Sequence, residues 1–238
     1  MLTAMAGCFF ASRLATAGAD IGVGMEVLVL TAAVLGGISL GGGRGSVTKA
    51  LVGTPNARYR GTISVDGEVY AIDDWVGSQN HNWGRRHTDR YAWAQVAGFD
   101  GVPDSFLECS TAQVKLGPLW SPRFTLVVLR VEGEEYALNS LPQALRASGR
   151  CTGFDWTLRS RQGAVEITAQ ISAPRERFVG LRYGNPPGGA KTCLNTKLAR
   201  VLLTLRRAGR PDLQLQCAQR AAFEILTDDT GHGVPVVA

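Results

Sequence analysis

A chain of 238 residues with 45% hydrophobic and 19% charged side chains has enough apolar material to bury a core, which excludes global disorder. Its net charge of +5, from 25 basic and 20 acidic residues, is scattered without a basic run or a basic helical stripe, so no nucleic-acid partner is expected. The five cysteines (Cys8, Cys109, Cys151, Cys193, Cys217) are odd in number, widely spaced and without a CxxC pair. This excludes a disulfide scaffold and a cysteine-based zinc site, and it points to a reducing compartment.

The first 53 residues form a segment of their own. Only Arg13, Asp20, Glu26, Arg44 and Lys49 are charged there, and Val27 to Gly43 runs without a charge for seventeen positions. That length spans about 26 Å as a helix, the lower edge of a membrane crossing, while the glycines at 36, 37, 41, 42, 43 and 45 weaken a straight one. A spanning or re-entrant apolar helix leads over a soluble Gly-rich hairpin or a signal peptide, because Arg13 follows the first apolar run instead of preceding it. Residues 1–53 are therefore one expected unit, with membrane association through it, and 55–238 the second. The expected location is the cytoplasm or the cytoplasmic face of the inner membrane.

Within that first unit, Ala11 to Val47, and above all VLGGISLGGGRGSV with its paired glycines, Ser39 and Arg44, resembles a slice of the permease subunit of ribose-type monosaccharide ABC transporters. The resemblance implies a second reading of the whole chain as a truncated or fused permease subunit. Such a slice lacks most of a translocation path.

Past Pro55 the hydrophobic period becomes two. ARYRGTISVDGEVYAID alternates about Asp66-Gly67, a pair suited to a type I′ hairpin turn because both central residues need positive φ. Further strands are expected at Tyr91–Ala97, Ser105–Leu116, Phe124–Val131, Glu135–Leu138, Thr152–Arg159, Ala164–Ser172, Phe178–Tyr183, Thr192–Leu205 and Leu213–Leu226, with a helical turn at Leu141–Ala147. FDGVPD, GPLWSP, VEGEE, SRQG, SAPRE, NPPGGA and RAGRPD separate them. A meander of this kind tends to close, since closure removes exposed edges, and the expectation is an antiparallel β-barrel around an apolar pocket. Phe124 to Val131 is apolar on both faces, so this strand is expected to be central and covered outside.

The densest chemistry lies in GSQNHNWGRRHTDRYAW, Gly77 to Trp93. His81 and His87 are six apart, about 20 Å along a strand and about 120° apart around a helix, so they do not close a metal site, and no metal is expected. No GxSxG supports acyl transfer. General acid–base work remains, with His81, His87 and Asp100 as candidate catalytic groups and Asp89 beside them. Asn82, Trp83, Tyr91 and Trp93 are the candidate ligand-binding residues, their π faces suited to an apolar polyene or a developing cation. The alternative is structural: Asn80, His81 and Asn82 satisfy backbone groups in a tight loop while the tryptophans plug a barrel end. The glutamates 132, 134 and 135 read as a solvated turn, as do Arg206, Arg207 and Arg210.

This stretch, with VKLGPLWSP, SAPRERFVGLRY and the closing HGVP, resembles the carotenoid 1,2-hydratase and tocopherol cyclase-like proteins over roughly 58 to 235, most specifically at HNWG, 81 to 84. The resemblance implies a lipocalin-like fold, here an incomplete double barrel, and a hydrophobic, isoprenoid-like small-molecule ligand. It also implies cyclase, hydratase or isomerase chemistry without a cofactor. A non-catalytic binding module tethered by residues 1–53 is the third reading.

Overall fold

The computed structural model describes residues 54–79, 88–116, 118–184 and 189–237. The described part begins with a ribbon of two strands, β1 (Thr54–Val65) and β2 (Glu68–Gln79), joined at Asp66 and Gly67 with φ of 51° and 86°. Both angles are positive, as the type I′ turn requires. The main sheet follows: β3 (Arg90–Phe99), β4 (Val102–Gln113), β7 (Phe124–Val131) and β8 (Glu134–Leu138), with a small two-stranded sheet of β5 (Lys115–Leu116) and β6 (Leu119–Trp120) inserted before β7. A single helical turn and a half, α1 (Leu141–Arg146), leads into β9 (Ser148–Thr152), β10 (Asp155–Gln162), β11 (Val165–Ser172), β12 (Val179–Gly184), β13 (Ala190–Arg207) and β14 (Arg210–Thr227).

All ladders are antiparallel and the order is β8-β7-β4-β3-β14-β13-β11-β10-β9, with β12 on the first half of β13. Two eighteen-residue strands, β13 and β14, act as the spine. Register shifts near Thr196 to Val201 bend them, so that β13 pairs with β12 at its start and with β11 at its end.

The expected closed barrel is corrected here. The sheet curls until β7 approaches β9 and β10, but its terminal strands β8 and β9 do not pair with each other. The physical reason is α1, which packs against β7 and β10 where that ladder would run. Side chains bridge the seam instead. Gly149 of β9 lies so close to Thr111 of β4 and Thr125 of β7 that a Cβ there would meet their hydroxyls at 1.9 and 2.6 Å. The expected strand Thr152–Arg159 is also corrected, into β9 and β10 around Gly153 at φ 58°.

The concave side holds the core. Trp156 stacks on Phe223 at 6.1 Å between ring centroids, Phe223 meets Phe178 edge-on at 5.6 Å, and Phe178 lies 4.9 Å from Phe154. Aromatic and aliphatic side chains from β3, β4, β7, β10, β11, β13 and β14 complete it. Burying each large side chain stabilises the fold by about 1.5–3 kcal/mol. The Trp156 indole N–H donates to Thr111 Oγ1 at 3.2 Å, which in turn lies 2.9 Å from Thr125 Oγ1, so these three buried polar groups are satisfied. Side chains fill the centre that was expected to hold a ligand pocket.

The strand Phe124–Val131 has the bounds read from its sequence and is covered on both faces. Val127, Leu129 and Val131 join the core, while Phe124 and Leu126 bury their outer side with Ala112, Ala144 of α1 and half-buried Tyr91.

Candidate functional site

Opposed residues of an antiparallel ladder share a face. Ala92, Ala94 and Val96 of β3 belong to the core, so Tyr91, Trp93 and Gln95 point to the convex side. Register then brings them beside selected neighbours: Trp93 opposite Ser110 and Glu224, Gln95 opposite Glu108, Tyr91 opposite Leu226, Glu224 opposite Asn195, and Leu226 opposite Cys193. A group of polar side chains drawn from four strands, β3, β4, β13 and β14, forms on the outside of the sheet.

Glu224 is its hub. Asn195 Nδ2 donates to Oε1 at 2.6 Å and Lys197 Nζ at 3.4 Å, while Tyr91 Oη donates to Oε2 at 3.4 Å and Cys193 Sγ lies 3.8 Å from it. Tyr91 Oη is also 3.8 Å from Cys193 Sγ. The Lys197 ammonium stands 5.9 Å from the Trp93 ring centroid, and the other side of the cluster is closed by Trp93 Nε1 donating to Glu108 Oε1 at 3.0 Å. Glu108 is only 2% exposed, whereas the side chain of Glu224 is 18% exposed, so the second carboxyl is the one in reach of a ligand. Ser78 of β2 donates to Gln95, and Asn56 of β1 to the Ser105 carbonyl at 3.0 Å; these bonds hold the base of the ribbon over this face.

Burial, then the neighbouring Cys193 and Glu224, raises the Tyr91 hydroxyl far above an ordinary phenol, and burial raises Tyr183 likewise. Both stay protonated at neutral pH and serve as donors. The Cys193 thiol is pushed up to about 11, first by burial and then by Glu224, so it is a poor nucleophile. What the arrangement can do is hold a carboxylate against two neutral donors, Tyr91 and Asn195, and the Lys197 ammonium beside an indole face, which is the equipment of proton transfer.

The profile of the tocopherol cyclase-like family matches residues 51–226, a span containing every residue of this cluster. The chain belongs to that family. Two uncharacterized proteins from two strains of Mycobacterium tuberculosis are each 30% identical to it over 157 residues, 63% of this chain and 45% of theirs. The chain thus spans about half the length of the curated relatives it matches. A solved structure of kievitone hydratase from Nectria haematococca aligns with a TM-score of 0.41 and 12% identity over 73% of this chain and 51% of that one. These comparisons give no support to the permease resemblance of Ala11 to Val47.

Of the residues singled out in the sequence, Tyr91 and Trp93 are brought together on the convex face. Asp100 is not with them: it turns β3 into β4, about 30 Å along the strand from Tyr91. Its carboxylate accepts from the Ala218 N–H at 2.9 Å and from Arg220 at 2.7 Å, pinning the bend of β14. His81, Asn82, Trp83 and His87 lie outside the described residues, as does the apolar segment 1–53. Asp89 lies in the described part, where Lys191 Nζ donates to its carbonyl at 2.8 Å. Among the described residues no three His, Cys, Asp or Glu side chains gather as metal ligands, and no helix is long and apolar enough to cross a membrane.

Sequence reasoning missed Glu108, Cys193, Asn195 and Glu224. One signal was available: in AAFEILT, Glu224 is a lone charge between core residues, hence an outward carboxyl on an apolar strand.

Proposed function

We propose that the convex face around Glu224 binds a hydrophobic, isoprenoid-like small molecule and moves a proton on it, as a cofactor-independent cyclase, hydratase or isomerase. Membership of the tocopherol cyclase-like family supports the reaction class. The observation that carries the reading is the reachable Glu224 carboxylate, held by Asn195, Tyr91 and Lys197 beside the Trp93 ring. In this reading Glu224 takes or returns the proton at a carbon next to an alkene or carbonyl. Tyr91 and Asn195 keep the carboxylate aimed, and the Trp93 face steadies positive charge developing on the ligand. His81 and His87 remain proposed partners in proton transfer, with Asn82 and Trp83 as proposed ligand contacts.

The test uses geranylgeraniol as probe. Quenching of tryptophan fluorescence, reduced in Trp93→Phe, reports binding, and mass spectrometry in D2O reports deuterium uptake or addition of water. Glu224→Gln is expected to keep binding and the thermal midpoint while lowering exchange or hydration by about a hundredfold or more. Binding without exchange in the wild type would leave a non-catalytic binding protein. Absence of both would remove the reading.

A further inference from the structure

Four elements away from the Glu224 face converge on an open groove of about 470 Å³ lined by Arg146, Ser148, Arg159, Arg161, Gly163 and Glu166. Its construction follows from alternation on β10. Trp156, Leu158 and Ser160 point into the core, so Arg159 and Arg161 must point out. Register places Ser148 opposite Arg159 and Glu166 opposite Arg161, and α1 ends on Arg146 at the same rim.

The charges do not balance. The single carboxylate, Glu166, accepts from Arg159 Nε at 3.0 Å and Nη2 at 2.7 Å through one oxygen, and from Arg206 Nη1 at 3.1 Å through the other. Arg159 first, then Arg206, holds its carboxyl below the usual carboxylate range. Glu166 is thereby committed to two guanidinium groups, and Asp212 takes the other side of Arg206 at 3.0 Å. Among the described residues Arg146 and Arg161 have no carboxylate partner, and the one hydrogen bond recorded for Arg161 is a long donation, 3.4 Å, to the Gly163 carbonyl. Like charges gathered without counter-charge cost stability, and planar guanidinium forks match the oxygens of a tetrahedral dianion.

We propose that this groove binds the phosphate or diphosphate group of a small molecule, with Arg146 and Arg161 as the paired forks, Arg159 fixed behind them by Glu166, and the Ser148 hydroxyl as a further donor. A monocarboxylate would answer only one of the two free guanidinium groups. The volume falls within the range of small-molecule sites and exceeds what one inorganic phosphate fills. The residues are separate from those around Glu224, so the proposal stands or falls independently of the proton-transfer reading.

The test is calorimetric titration of the full chain with inorganic pyrophosphate at low ionic strength. Saturable binding is expected, weakened at least tenfold in Arg146→Gln/Arg161→Gln and unchanged in Arg182→Gln, an exposed arginine elsewhere. Arg161→Lys, which keeps charge but loses the fork, is expected to fall between. Far-ultraviolet circular dichroism checks that the variants fold, as expected for two arginines that have no ion pair among the described residues. Flotation with phosphatidylcholine vesicles containing phosphatidic acid separates the sources: binding competed by pyrophosphate assigns the groove to a lipid headgroup, and no flotation assigns it to a soluble phosphate. Failure to bind pyrophosphate, or equal weakening by Arg182→Gln, overturns the proposal.

Discussion

A residue's sequence neighbourhood reveals its face but not its partner. Glu224 could be recognised as outward-facing, yet its company, Tyr91 at a separation of 133 residues and Asn195 at 29, exists only after β14 pairs with β3 and β13. Asp100 shows the converse: it looked like a candidate acid, and the fold spends its carboxylate on Ala218 and Arg220, the latter 120 residues away. The turn glutamates behave alike, since Glu132 and Glu134 meet Arg207 and Arg210, each at 2.7 Å, and lace two turns that looked merely solvated. Cysteine chemistry gives a direct check on local environment. Cys109, Cys193 and Cys217 are buried and free, and Cys151 is exposed with its thiol pushed up to about 11 by partial burial of the sulfur and then by Asp155. A thiol raised this way is more fully protonated at any pH below 11, so reactivity falls at pH 8 and rises about tenfold per pH unit above it. Peptide-resolved iodoacetamide labelling should find Cys151 modified roughly a hundredfold more slowly at pH 8 than an ordinary thiol. Its rate should still climb at pH 10, and the three buried cysteines should stay unmodified until unfolding. A labelling rate for Cys151 that levels off near pH 9 would contradict the assigned environment.

At the scale of elements, period-two alternation and turn residues located nearly every strand of the main sheet, and Asp66-Gly67 gave its turn type. The limits of the reading have physical causes. Alternation continues across a tight two-residue turn, so Gly153 and Phe154 did not separate β9 from β10. Closure depends on what α1 packs against, which no local pattern encodes. The seam it leaves predicts one substitution. Gly149→Ala puts a methyl group into the Thr111 and Thr125 hydroxyls, and Thr111 cannot turn away without releasing the Trp156 indole bond and its contact with Thr125. Overpacking of this kind costs about 1–3 kcal/mol. In a chain of this size that is a fall of roughly 5 °C in the thermal midpoint, measurable by calorimetry. A second change, Thr111→Ser/Gly149→Ala, removes the γ-methyl group that lies 2.8 Å from the added carbon and should recover part of the loss; an unchanged midpoint in the single variant would show that β9 does not press on β4 and β7.

For the whole molecule, stability should follow the number of ladders each strand shares. β13 is paired on both edges over most of its length, β14 joins it to β3 through Ala222 to Leu226, and these strands with β4 supply Phe223, Val201, Leu107 and Cys109 to the core. β8 and β9 have one ladder each. Among the described residues the ribbon of β1 and β2 pairs only with itself, and a two-stranded ribbon alone is marginal in water. Register sets Tyr59 opposite Trp75 and Ile63 opposite Tyr70, four large side chains that remain between 41% and 51% exposed, so cross-strand packing supports the ribbon with little burial. Its anchors are polar and lie near the base: Asn56 to the Ser105 carbonyl, Arg58 to Asp104 at 3.2 Å, and Ser78 to Gln95. Hydrogen–deuterium exchange read by mass spectrometry should therefore rank protection in three tiers, with the spine opening only on global unfolding, β8 and β9 sooner, and the ribbon first. Within the ribbon, the turn around Asp66 and Gly67 should exchange before the base. Protection of the turn equal to that of β13 would mean that the exposed Tyr59, Ile63, Tyr70 and Trp75 face is covered in solution, and the convex site beneath the ribbon would then be more enclosed than its geometry indicates.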